Sequence, residues 1–189
     1  MNRLLISRAT AFVHKILQEK IQIGNIVVDA TMGNGNDTIF LSQAVGSNGK
    51  VYAFDIQQKA LDITYKRLLE ANCNNVVLIR DSHENMGIYI KEKIDAAVFN
   101  LGYLPKGDHK VITKPPSTIG AIKSSLEILK TKGILSIVIY YGHEGGAIEK
   151  NSVIDFLETL DNKKYSVLKC SYISKEKNPP IIVFIEKII

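Results

Sequence analysis

Apolar positions along the 189-residue chain change period repeatedly, and each change marks a new element. Ala9, Phe12, Val13, Ile16, Leu17 and Ile21 recur at helical spacing over residues 7–21, with Ser7 as a cap. His14 falls near the edge of that stripe, where contact with a ligand and ordinary packing both fit. Gly24-Asn25 ends the helix, and the run Val27-Val28-Asp29 reads as a first strand. The pattern then predicts a helix over 37–45, a strand over 50–55, an amphipathic helix over 58–71 and a strand over 76–79. A short helix over 84–92 and a buried strand over 94–100 come next, followed by a helix over 118–129 and a strand over 134–141. A helix over 151–160 and two strands, 165–174 and 181–185, complete the chain. The last two strands join without an intervening helix, which makes the final one antiparallel after a series of β–α units.

Polar residues gather where the predicted strands end. After Asp29 comes a turn containing Met32, Gly33, Asn34 and Gly35, and Asp37-Thr38 leads into the next helix. Glycine lets the backbone turn tightly and approach a ligand without a Cβ in the way, and the helix start offers unpaired N–H groups. About twenty residues later the second strand ends in Asp55, the spacing at which a Rossmann-like unit sets a carboxylate on a ribose diol. The dinucleotide fingerprint itself is absent, because Thr38 stands where its third glycine would be. An acid such as Asp29 also sits badly beside a pyrophosphate. It suits a cofactor with a cationic amino-acid end, S-adenosyl-L-methionine being the common one. On this reading Asp29 and the Gly33 and Gly35 backbone face the methionine end, and Asp55 takes the ribose hydroxyls.

The third strand delivers Asp81-Ser82-His83, placed for an adenine edge; Asp81-Ser82 as a simple helix cap fits equally. The fourth delivers Asn100-Leu101-Gly102-Tyr103, similar to the Asn-Pro-Pro-Tyr signature of methyltransferases that act on planar or amine nitrogens. There the asparagine oxygen accepts from the target N–H and the aromatic ring stacks on the base, so catalysis is mostly alignment. A strand-end turn with a packing tyrosine fits the same four residues. His143, in Gly142-His143-Glu144 after the fifth strand, is placed to take a proton from an ammonium substrate, to contact RNA, or to be an ordinary loop histidine.

Composition narrows these options. A hydrophobic fraction of 46% and a charged fraction of 23% are ordinary for a globular protein, and a formal charge of +5 favours an anionic partner such as RNA. Cys73 and Cys170 form no C-x-x-C pair, so neither a metal site nor a redox dithiol is expected. No G-x-S-x-G or Walker loop occurs, which disfavours hydrolase and NTPase chemistry. No apolar run approaches a membrane span and the amino terminus lacks the succession of a signal peptide, so the expectation is a cytoplasmic protein with no membrane partner.

With these pieces assembled, the chain resembles the YtqB-like rRNA-methylase family, small class I methyltransferases assigned to 5-aminomethyl-2-thiouridine at the tRNA wobble position. The matching runs are 29–35 with Asp37-Thr38, 51–57, Ser82-His83, 97–105 with Gly107-Asp108, 117–119, 141–143, 149–151 and 178–180. The chain departs from the family pattern at Asn36 and Asp81. The resemblance implies S-adenosyl-L-methionine as donor, with Met32, Asn34, Asp37, Thr38, Asp55, Ile56, Gln57, Ser82, His83 and Asn100 around it. It puts Leu101, Gly102, Tyr103, Lys106, Lys114, Ser117, Thr118, His143 and Asn151 on the substrate side, facing the anticodon stem-loop of a tRNA. Asn100, Tyr103 and His143 are the catalytic candidates.

The expected architecture is a single α/β domain over 1–189, with residues 1–22 packed on it as an N-terminal helix. Its fold is the Rossmann-like class I methyltransferase fold, with helices on both faces of a mostly parallel sheet. The seven strands are expected in the order 3-2-1-4-5-7-6, the seventh antiparallel. With no large RNA-binding appendage in the sequence, two subunits sharing one RNA are expected as a homodimer. Rival readings are a methyltransferase for rRNA or a small molecule, a non-catalytic RNA-binding module and, more remotely, a nicotinamide dehydrogenase. Salt-insensitive turnover would favour the small molecule, and failure to bind S-adenosyl-L-methionine would favour the binding module.

Overall fold

Alternate residues of the central strands enter two separate apolar layers, one on each face of a single sheet. Val27, Val51, Ala96 and Val98 go to one layer and Val28, Tyr52, Ala97 and Phe99 to the other, the period-two pattern of strands covered on both sides. The computed structural model describes residues 6–102, 113–173 and 178–189. The elements are α1 (Ala9–Lys20), β1 (Ile26–Asp29), α2 (Asn36–Val45), β2 (Lys50–Phe54), α3 (Gln58–Glu70) and β3 (Val76–Ile79). A 3-10 turn at His83–Asn85 runs into the single-turn α4 (Met86–Tyr89), then come β4 (Ile94–Leu101), α5 (Pro115–Ile128), β5 (Leu129–Ile139), α6 (Gly146–Glu158), β6 (Tyr165–Cys170) and β7 (Ile181–Lys187).

The sheet order is β3-β2-β1-β4-β5-β7-β6, as expected. β1 pairs in parallel with β2 and β4, while β7 lies antiparallel between β5 and β6. Residues of α4, α5 and α6 pack into one apolar layer and those of α1 and α2 into the other.

Several boundaries differ from the periodicity reading, for local reasons. α5 starts at Pro115, because proline lacks only an N–H that the first helical turn leaves unpaired. α6 starts at Gly146, because Gly145 takes a left-handed φ of 77° that turns the chain into the helix early. Residues 130–133, left between the expected helix over 118–129 and strand over 134–141, form a bulge inside β5, whose pairing jumps from Ile94↔Leu129 to Ala96↔Ile134 with Lys132 at φ 67°. The expected helix over 84–92 is the 3-10 turn plus α4, and β6 stops at Cys170.

α1 matters to the site because it is stapled across β5 and β7. Val13 and Leu17 are buried, and the Phe12 ring meets Phe184 edge-on at 6.0 Å. Truncating Leu17→Ala, fully buried here, is expected to cost about 2–5 kcal/mol, read as a lowered urea midpoint.

Candidate active site

A cavity of about 950 Å³ opens over the carboxyl ends of β1, β2, β3, β4 and β5. Its wall includes Met32, Gly33, Asn34 and Asp37 from the first turn, and residues 55–57 after β2. The rest comes from residues 81–83 after β3, 100–102 at the end of β4, Ser117, and His143 beyond β5. Tyr103 and Lys106 lie outside the described residues.

The first turn is shaped by its hydrogen bonds. Met32 N donates to Phe54 O at 2.9 Å and Gly35 N to Met32 O at 2.8 Å. Gly35, at φ 76°, caps α2; a Cβ there would stand 2.7 Å from the Thr64 side chain. Thr64 Oγ1 donates to Gly33 O at 3.1 Å. From α3, Arg67 donates to Asn34 O and, at 2.8 Å, to Asn36 Oδ1.

Asp55 is half-buried, with Oδ2 accepting from Gly33 N at 3.0 Å and Oδ1 from Gln57 N at 2.9 Å. Burial raises its pKa, and the two backbone N–H groups work against that. Each oxygen spends one lone pair on the backbone and keeps another for a donor on the ligand, which suits a diol. Neighbouring Ile56 is 52% exposed and gives the same wall an apolar shelf.

Asp29 is where the structure departs most from the sequence reading. It is fully buried and does not line the cavity. Oδ2 accepts from Thr38 Oγ1 at 2.6 Å and Oδ1 from Thr31 N at 3.2 Å, so the side chain holds the turn from behind. Gly35 and Thr38 likewise stand behind the wall. The acid on the wall from this segment is Asp37.

Asp81 accepts from Ser82 N at 2.7 Å, Asn85 Nδ2 at 3.0 Å and Tyr89 Oη at 2.8 Å, and these bonds hold its carboxyl below the usual range. Ser82 caps the 3-10 turn through Glu84 N. The capping role is therefore realised, while both residues still border the cavity. His83 is buried, and its Nδ1 donates to Ala30 O at 2.9 Å. Burial lowers its pKa, which favours the neutral ring with Nε2 as an acceptor.

Asn100 sits where β4 meets the cavity. Its N–H donates to Thr31 Oγ1 at 2.7 Å and its Nδ2 to Asp37 Oδ2 at 2.6 Å. Its Oδ1 is buried and has no hydrogen-bond partner among the described residues. A buried amide oxygen without a donor is costly unless a ligand supplies one. Asp37 Oδ1 accepts from His14 Nε2, and the His14 ring lies flat on Phe40, with centroids 3.8 Å apart and planes 5° apart.

Past β4, Gly102 N donates to Thr113 Oγ1 at 3.0 Å, and Thr113 and Thr118 each donate to buried Glu149 at 2.7 Å. Thr118 is thus a strut between α5 and α6, away from the cavity wall. Asn151 and Lys114 are exposed and also off the wall. Arg8, Thr10 and Tyr140 are among the wall residues that the sequence reading did not name as site candidates. Arg8 and Thr10 belong to the α1 segment and follow no strand; Tyr140 directly follows β5 and carried the usual strand-end signal. Burial, reinforced by the Asp37 charge, raises the Tyr140 pKa. The described residues contain no group of three or more potential metal ligands, and none of their helices is long and apolar enough to cross a membrane.

The Asp29 carboxyl is pushed up to about 7 from 3.8, first by burial and second by the Asp37 charge. The folded chain then holds this proton more tightly than the unfolded chain, so stability falls as pH rises between about 4 and 7. Asp29→Asn has no proton to lose. Urea midpoints across that window are expected to show a flatter pH slope for the variant than for the parent.

The family model described as "Putative rRNA methylase" matches residues 51–186. A chloroplastic tRNA (mnm(5)s(2)U34)-methyltransferase from Arabidopsis thaliana is 36% identical over 95% of this chain and 69% of its own length. Among solved structures, a "putative rRNA-methylase" from Clostridium thermocellum is 46% identical at a TM-score of 0.95, covering 97% of this chain and 100% of that one. A "putative methyltransferase" from Streptococcus mutans in complex with SAH is 43% identical at a TM-score of 0.88, covering 96% and 99%.

Proposed function

The chain belongs to the "Putative rRNA methylase" family of S-adenosylmethionine-dependent methyltransferases, and from that premise we propose that it methylates the 5-aminomethyl nitrogen of a tRNA wobble uridine. The observation that carries the acceptor half of this reading is the unpartnered, buried Oδ1 of Asn100, a residue of the cavity wall. An amine offers the N–H that this oxygen lacks.

The residues present suit the donor. Asp55 has lone pairs left that would take the ribose hydroxyls, Ile56 would offer an apolar face to the adenine, and residues 81–83 would meet its edge. Asp37 and the Gly33-Asn34 backbone, which line the cavity, would hold the amino-acid end, the role the sequence reading gave to Asp29. When bound, S-adenosylmethionine supplies a methyl group already activated on a sulfonium, which leaves the protein the work of alignment. The acceptor nitrogen must be neutral to attack. Asn100 Oδ1 accepts one of its N–H groups and so directs the lone pair, and His143 on the same wall takes the proton released from the ammonium form. The family resemblance assigns Tyr103 to stack on the base and Lys106 and Lys114 to meet phosphates.

The test is nucleoside mass spectrometry of aminomethyl-bearing tRNA incubated with the protein and S-adenosylmethionine. One added methyl on the wobble aminomethyl nucleoside is expected, with turnover falling as salt rises. An unchanged nucleoside would refute the proposal. Asn100→Ala is expected to cut turnover by about 100-fold or more through lost alignment while cofactor affinity stays near that of the parent.

A further inference from the structure

We infer that Asp37 and His14 are positioning residues that set the polarity of the Asn100 amide, so that its oxygen rather than its nitrogen faces the acceptor. The inference rests on the reading that the acceptor is a nitrogen bearing N–H.

An amide group is nearly symmetric in shape, and rotating it by half a turn exchanges an acceptor for a donor. Nothing steric at Asn100 need prevent that; only its hydrogen-bond partners can. Asp37 is suited to the task because a carboxylate only accepts. Its Oδ2 takes Asn100 Nδ2 at 2.6 Å, and its Oδ1 is occupied by His14 Nε2. A rotated Asn100 would set its oxygen against a carboxylate oxygen and turn its NH2 toward the amine, placing two donors in contact. The Asn100 backbone is tied separately to Thr31 Oγ1, so the amide orientation is the one free variable. Asp37 is held in turn: its side chain is only 13% exposed, and His14 is braced flat against Phe40. α1 thereby reaches the reacting centre through His14, although its apolar stripe is spent on β5 and β7.

The test exchanges the two side chains. In Asp37→Asn, an amide that goes on accepting from His14 must point its NH2 at Asn100, whose amide then rotates. Turnover at saturating S-adenosylmethionine is expected to fall about 100-fold. The double variant Asp37→Asn/Asn100→Asp restores every bond: the amide at 37 donates to the carboxylate at 100, whose other oxygen accepts from the amine. It is expected to recover at least about tenfold over either single variant, a gain that a purely structural role for Asp37 would not produce. His14→Phe, which keeps the stack on Phe40 but removes the N–H, is expected to lower kcat several-fold with KM little changed. A double variant no better than the worse single one, or Asp37→Asn with full turnover, overturns the inference.

A second readout does not depend on the acceptor. In NMR spectra of the protein with S-adenosylmethionine, one Asn100 Nδ2 proton is expected far downfield from its bond to the carboxylate, and it should lose that shift in Asp37→Asn. No change there overturns the inference. Failure of the parent protein to methylate aminomethyl-tRNA defeats the proposed function instead, and the amide signal still decides this point.

Discussion

The site depends on β1 being hydrogen-bonded along both edges in the middle of a parallel sheet. Parallel strands bring all their carboxyl ends to one rim. The winding reverses at β1, with β2 and β3 added on one side and β4 and β5 on the other. The helices that follow β1 and β4 therefore leave toward opposite faces, α2 into one apolar layer and α5 into the other. Neither can cover the rim between them, and the cavity is the space they leave.

Three acids of that rim occupy three different environments and do three different things. Asp29 is sealed beneath the first turn and spends both oxygens on Thr38 and Thr31. Asp55 is moored by two backbone N–H groups and keeps lone pairs outward. Asp37 faces sideways to a histidine and an asparagine. The same functional group thus serves as a strut, as a ligand acceptor and as an orienting partner. What separates the roles is burial and the count of donors each one meets.

The strand order and most of the rim were legible in the sequence, because strand ends and two-sided burial leave local signals: apolar runs closing on an acid, glycine or asparagine. The inward turn of Asp29 was not legible. Its partner Thr38 lies in the first turn of α2, and only the folded helix shows that the hydroxyl points back. The role of His14 was hidden for a different reason. It sits on a helix whose visible pattern concerns packing, and its bond to Asp37 joins residues 23 apart in the chain. Helix starts at Pro115 and Gly146 were read late because the polar residues beside them look like loop until the cap geometry is known.

The brace that α3 places on the glycine turn has a thermodynamic consequence. Arg67 and Thr64 hold the Asn34 and Gly33 carbonyls from outside the cavity, so the loop keeps this shape without help from a ligand. A loop that must freeze on binding forfeits conformational entropy and weakens affinity. Here that forfeit was made during folding, and capture of the donor draws on a surface already set, with most of its contact energy left to appear as affinity.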